Sequence, residues 1–148
     1  MPSASPRFVD DHLSYLLGRA SHVVYTDFHR SVREAGFSAL EWRVLAQLSG
    51  AGGRTIGALA REALAQQPTL TKLVQRMEKT GWVQRRADPQ DARRTLVFQT
   101  RSGRAAVDKL LRLAKRHEAR LLEGLDAKDV AALKKVLRAL IARDERTR

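Results

Sequence analysis

The chain has 148 residues, with 28 Lys and Arg against 16 Asp and Glu, no Cys, and a formal net charge of +12. That length suits one domain with a real core, and such self-repulsion argues for a polyanionic partner, nucleic acid ahead of an anionic membrane surface. The missing cysteines exclude a disulfide scaffold, a thiolate zinc site and a peroxide-sensing thiol. With no signal-like start and no apolar run near the roughly eighteen residues of a membrane span, the protein is expected to be soluble and cytoplasmic, with no membrane partner.

The charge is uneven. Residues 1–53 hold five basic and five acidic side chains, residues 54–104 eleven and four, and residues 105–148 twelve and seven. The middle third therefore carries the largest excess. The basic C-terminal third is a weaker signal, because exposed helices commonly carry solvated charge.

Val9, Leu13, Leu16, Leu17, Ala20, Val23, Val24 and Phe28 recur at helical spacing and predict one continuous helix over about 9–35. Gly36 is suited to stop it. Ser38 followed by Glu41 is a capping-box signature for a second helix ending near Ser49, after which Gly50, Gly52 and Gly53 break the chain. Thr55 caps a short third helix with Ile56, Leu59, Ala60 and Ala63. A tight turn through Leu64, Ala65, Gln66 and Gln67 leads to Pro68, at the start of a fourth helix that runs to about Thr80 and is ended by Gly81. Two helices joined so closely read as helix-turn-helix.

Trp82 to Ala87 and Thr95 to Thr100 are rich in aromatic and β-branched residues and flank the turn residues Asp88, Pro89, Gln90 and Asp91, which predicts a hairpin. Thr100 then caps a long fifth helix and Asp126 a sixth. The fold class is mainly α with a small β-hairpin wing: a winged helix-turn-helix over about 38–100, with long terminal helices over about 9–35 and 101–146, all in a single domain spanning 1–148.

At about 100° per residue, Leu70, Leu73, Val74 and Met77 of the fourth helix share one face, with Pro68, Thr71, Lys72, Gln75 and Lys79 opposite and Gln67, Thr69 and Arg76 on the flanks. The apolar face docks, and the other offers amides, hydroxyls and cations to base edges and phosphates. Any amphipathic helix has a polar outer face. Here it coincides with a preceding helix at helix-turn-helix spacing and a ribbon bearing Arg85, Arg86, Arg93 and Arg94, and that convergence points to double-stranded DNA. In the wing, Asp91 is positioned to shape the tip through a salt bridge or an Asx-type turn with Arg93, leaving Arg93 or Arg94 for contact.

These residues resemble the MarR family of bacterial winged-helix regulators, through Pro68-Thr-Leu-Thr-Lys-Leu-Val-Gln-Arg-Met-Glu-Lys-Thr-Gly-Trp-Val83 and Asp88-Pro-Gln-Asp-Ala-Arg-Arg94. The likeness extends over nearly the whole chain, although the terminal helices match only in order and length. The resemblance implies a symmetric dimer on short pseudo-palindromic operators, usually a repressor. It also implies a small aromatic acid or related anion bound between the dimerisation helices and the reading module. Independently, the apolar stripes of the first, fifth and sixth helices exceed what a winged helix-turn-helix needs and suit a homodimer interface. Two-fold symmetry would set the reading helices roughly 34 Å apart, so the operator is expected to be an inverted repeat.

On the first helix His12, Tyr15, Arg19, His22 and Thr26 form a polar, aromatic edge. With Trp42 and Arg43 they are candidates for binding a small aromatic carboxylate of the hydroxylated benzoate, nicotinate or cinnamate type. A metal at His12, His22 and His29 is not expected, because no two are three or four residues apart, and no cofactor is expected. No nucleophile elbow, phosphate-cradling Gly loop or paired-carboxylate site supports an enzyme. Two readings remain: a ligand-responsive transcriptional repressor, and an architectural DNA binder without effector. The outward Gln67 and Gln75 favour the first, since glutamine reads adenine edges.

Overall fold

The computed structural model describes residues 7–147 and is mainly helical. In chain order the elements are α1 (Phe8–Asp11), α2 (Leu13–Glu34), α3 (Ala39–Leu48), β1 (Arg54–Thr55), α4 (Ile56–Glu62), α5 (Gln67–Lys79), β2 (Val83–Ala87), β3 (Thr95–Gln99), α6 (Arg101–Leu121) and α7 (Ala127–Thr147). The chain divides into two compact units, one up to Ala114 and one from Lys115.

The expected continuous first helix is broken. His12 takes extended backbone angles, φ −83° and ψ 119°, and separates α1 from α2. Local side-chain bonds compete with the helical ladder there: Asp10 is drawn back to the Arg7 backbone N–H and guanidinium, and the His12 ring pairs with Ser14 Oγ at 2.8 Å. Leu13 and Leu16 are exposed, so no packing within the chain enforces continuity.

The other helix ends follow the sequence signals. Gly36 (φ 85°) and Gly81 (φ 82°) adopt the left-handed conformation that terminates α2 and α5. Around each, the next N–H reaches back to close a Schellman motif: Phe37 to the Val32 carbonyl, Trp82 to the Met77 carbonyl. Ser38 and Glu41 form the predicted reciprocal capping box, with Glu41 N–H donating to Ser38 Oγ and Ser38 N–H to Glu41 Oε2. Thr55 accepts from Ala58 N–H, Thr100 from Gly103 N–H, and Asp126 from Lys128 N–H.

The core of the first unit brings Phe28 and Val32 of α2, Val44, Leu45 and Leu48 of α3, Leu59 and Ala60 of α4 and the apolar face of α5 against Val83, Val97, Val107 and Leu110. Full burial of such side chains is worth about 1.5–3 kcal/mol each, so this cluster holds α5 with its polar face outward. The sheet has three strands rather than the hairpin's two, in the order β1-β3-β2 and antiparallel throughout. β1 is two residues long, too short for any alternation to announce it, and exists only because Arg54 and Thr55 pair with Val97 and Leu96. The start of α6 is pressed onto the base of the wing. A Cβ on the buried Gly103 would overlap the Trp82 carbonyl oxygen and lie 2.8 Å from its carbon.

In the second unit none of the described residues of α7 is buried, and Leu133, Val136 and Ile141 are more than half exposed. Lys134 pairs with Glu118 at 2.6 Å, joining α7 to the end of α6.

Candidate nucleic-acid interface

α4, the turn and α5 form the helix-turn-helix. The α4 end is unusual in placing Leu64, not glycine, in the left-handed conformation (φ 57°), with its side chain 82% exposed. Ala65 N–H still reaches the Ala60 carbonyl, so the Schellman closure is kept despite the Cβ penalty. Pro68 follows at the second position of α5, where its missing N–H costs no bond.

On α5 the predicted division of faces is what the packing produces. Leu70, Val74 and Met77 are fully buried and Leu73 nearly so, while Gln67, Pro68, Thr69, Lys72, Gln75 and Arg76 are exposed. Two side chains are less free than their spacing suggests. Thr71 is half-buried and its hydroxyl donates to the Gln67 carbonyl at 2.9 Å, leaving it only acceptor capacity. Arg76 leans toward α3, with its guanidinium 3.7 Å from Glu41. Ser38, Leu40, Thr69, Lys72, Leu73 and Arg76 line a groove of about 310 Å³ along this flank.

The wing tip is built from its acidic residues. Asp88 Oδ1 accepts from Gln90 N–H at 2.9 Å, Asp91 Oδ1 from Arg93 N–H at 3.0 Å, and the strands close through Asp88 N–H to the Arg94 carbonyl. Of the two arrangements open to Asp91, the Asx turn is therefore adopted: it binds the Arg93 backbone and leaves the guanidinium exposed. Arg94 is also exposed. Arg86 lies over the Phe98 ring, 5.4 Å from its centroid, which limits its swing.

Arg85 is not a free cation of the ribbon. Its backbone N–H and its Nε donate to Glu78 at 3.0 and 2.8 Å. These bonds, the backbone one foremost, hold the Glu78 carboxyl below its ordinary pKa.

The six residues predicted to bind a ligand do not converge. His12 is engaged with Ser14 and stacks on Phe8 at 4.5 Å. Tyr15 and Arg19 are exposed further along α2. Trp42 packs edge-on against Phe28 at 5.1 Å beside the core, and Arg43 donates to the Ala63 carbonyl at 3.2 Å, so both serve the fold. His22 and Thr26 line a groove of about 360 Å³ together with Ser21, Tyr25, His29 and Arg33.

His29 is the distinctive member. Its Nε2 is buried without a hydrogen-bond partner among the described residues, and burial, then Arg43 and Arg33, lower its pKa. The sequence reading left out Tyr25 and Arg33 and weighed His29 only for a metal, although all three continue the His22 edge by i+3, i+7 and i+11; following that edge toward the C-terminus would have placed them in the groove. Among the described residues no cluster of three metal-ligating side chains occurs, and no helix is long and apolar enough to cross a membrane.

The comparisons with known proteins agree with this geometry. The MarR family model matches residues 35–94, from the end of α2 to the wing tip. A MarR family transcriptional regulator of Silicibacter pomeroyi DSS-3, SPO1453, is 39% identical, with 93% of this chain and 98% of that chain covered and a TM-score of 0.79. The HTH-type transcriptional repressor IacR of Pseudomonas putida is 30% identical over 129 residues, 86% of this chain and 77% of that protein. The structure of NadR in complex with 4-hydroxyphenylacetate is 25% identical, covers 95% of this chain and 97% of that chain, and has a TM-score of 0.81. The chain spans about half of one further relative, the transcriptional activatory protein BadR of Rhodopseudomonas palustris: 34% identity over 97 residues, 64% of this chain and 55% of that protein. With its winged helix-turn-helix and these relatives, the chain belongs to the MarR family of DNA-binding transcriptional regulators.

Proposed function

We propose that the protein acts as a homodimeric repressor that binds inverted-repeat operators and leaves them when a small aromatic anion occupies each subunit. The observation that carries the DNA half is α5, whose apolar residues are buried while Gln67, Lys72 and Gln75 face solvent beside a wing with exposed Arg93 and Arg94. In this reading Gln67, Pro68, Thr69, Thr71, Lys72, Gln75 and Arg76 meet the major groove or its phosphates. Arg86, Arg93 and Arg94 follow the flanking backbone, and Asp91 shapes the tip.

Dimerisation is supported by large apolar side chains left in water: Phe8, Leu13 and Val23 in the first unit, Leu133, Val136 and Ile141 in the second, each more than half exposed. Monomers seldom leave extended apolar patches bare. Light scattering should return twice the 16.6 kDa of the chain, and a monomer at micromolar concentration would refute the symmetric operator.

The effector half is supported by the α2 groove. An imidazole nitrogen without a partner, a phenol and the Arg33 guanidinium suit a one-ring carboxylate. NadR, solved with 4-hydroxyphenylacetate, is a relative whose ligand has that chemistry. Release needs only a ligand that favours the state poorer at binding DNA; a coupling of about 1–3 kcal/mol weakens binding roughly 5- to 150-fold.

Genomic fragments captured by the purified protein should bind at least about 10³ tighter than random duplex at physiological salt. Hydroxybenzoates, nicotinates, cinnamates and 4-hydroxyphenylacetate are then titrated into that complex. Equal affinity for all duplexes would leave an architectural binder, and no response to any acid would remove the effector.

A further inference from the structure

The groove between α3 and α5 lies beside the reading helix and is lined by two cations, Lys72 and Arg76. We infer that it seats one backbone phosphodiester of the bound duplex, gripped jointly by Lys72 and Arg76, with the Ser38 hydroxyl at its rim. The inference rests on the DNA-binding reading above and adds a specific contact to it. Leu40 and Leu73 form the apolar part of the lining, and Thr69 adds a second hydroxyl.

Arg76 does not simply extend into solvent. Its guanidinium lies 3.7 Å from Glu41, and so tilts toward α3 and over the recess. Glu41 itself is largely withdrawn: its side chain is 15% exposed, and one oxygen is occupied by the Ser38 N–H. Two cations against one turned-away carboxylate leave the groove net positive. Its volume, about 310 Å³, admits a phosphate with part of its ribose.

The occupant follows from continuity. Thr69, Lys72 and Arg76 succeed one another at i, i+3 and i+7, one helical step beside Thr71 and Gln75, so whatever fills the groove touches the reading face as well. A free anion in so open a recess has two mobile cations to hold it and nothing to enclose it. A phosphodiester of the duplex arrives tethered to neighbours that are bound already, which raises its effective concentration.

The test uses the whole protein and a random-sequence duplex, with affinity measured against salt. If Lys72 and Arg76 hold the same phosphate, the double variant Lys72→Ala with Arg76→Ala lowers the slope of log affinity against log salt by about 0.9, the value for one phosphate. A fall of about 1.8 would mean two separate phosphates and overturn the shared seat.

A second pair of variants probes the rim without losing the helix cap. Asn and Asp both cap as well as Ser, so Ser38→Asn and Ser38→Asp should melt alike, yet Asp places a carboxylate against the phosphate. Ser38→Asp should therefore bind duplex at least about tenfold more weakly than Ser38→Asn, whose side chain is neutral. Equal affinities for the two would remove the phosphate from the groove while leaving DNA binding intact. If wild-type protein bound no duplex, the DNA-binding reading itself would fall.

Discussion

Glu78 and Arg85 join the reading helix to the first strand of the wing: one carboxylate accepts the Arg85 backbone N–H at 3.0 Å and its Nε at 2.8 Å. The backbone bond fixes where β2 leaves the end of α5, and the side-chain bond fixes its direction. In the proposed reading, in which helix and ribbon address one duplex together, this clamp holds them in register before DNA arrives and so reduces the ordering cost of binding.

That clamp has a pH signature. The folded carboxyl titrates below its ordinary value of 4.5, so its stabilising contribution is present above 4.5 and is lost as pH falls through the lower folded value. Glu78→Gln keeps an acceptor for the N–H but has no charge. Thermal melts should place the variant below wild type at neutral pH, with the two converging in acid. A gap that stays constant with pH would show that the charge contributes nothing.

Gly103→Ala should be among the most damaging small substitutions in the chain. The added methyl meets backbone of Trp82 rather than a side chain able to turn away. A loss of about 1–3 kcal/mol or more is expected in urea unfolding, and an unaffected midpoint would mean that the start of α6 lifts off the wing without cost.

Leu64→Gly should do the opposite. Leu64 is 82% exposed and packs little, while its φ of 57° carries the steric cost of a left-handed residue with a Cβ. Relief of that cost, less the extra chain entropy of glycine, should stabilise the protein by about 0.5–1 kcal/mol. A destabilised variant would show that the side chain has a packing partner, such as a second subunit.

Gln75→Ala and Arg94→Ala separate reading from gripping. The first should relax base preference at one operator position at a cost of about 1–3 kcal/mol, with the salt slope unchanged. The second should weaken binding to all sequences alike and lower the slope by about one unit. If Arg94→Ala leaves the slope where it was, Arg94 is not on a phosphate.

Much of the framework is legible from neighbours within four residues. The Ser38–Glu41 box, the glycine stops at 36 and 81, the apolar stripe of α5 and the Asp88–Asp91 tip are each set by local backbone geometry and periodicity, and each appears where the pattern places it. The His12 break was the exception. The stripe continues through it, but a stripe that faces water within the chain exerts no force to keep the helix whole.

The sequence by itself thus determined the order of the elements apart from β1 and the break at His12, the buried and presented faces of the reading helix, the place of the wing tip and the family. What joins distant segments was decided only in three dimensions: β1 against β3, Glu78 with Arg85, Arg76 toward Glu41, Trp42 on Phe28, and His29 with its nitrogen buried and unpaired among the described residues. Capping and periodicity act over one or two helical turns and leave a mark in residue spacing. A contact across tens of residues depends on how whole elements pack, and no spacing records it.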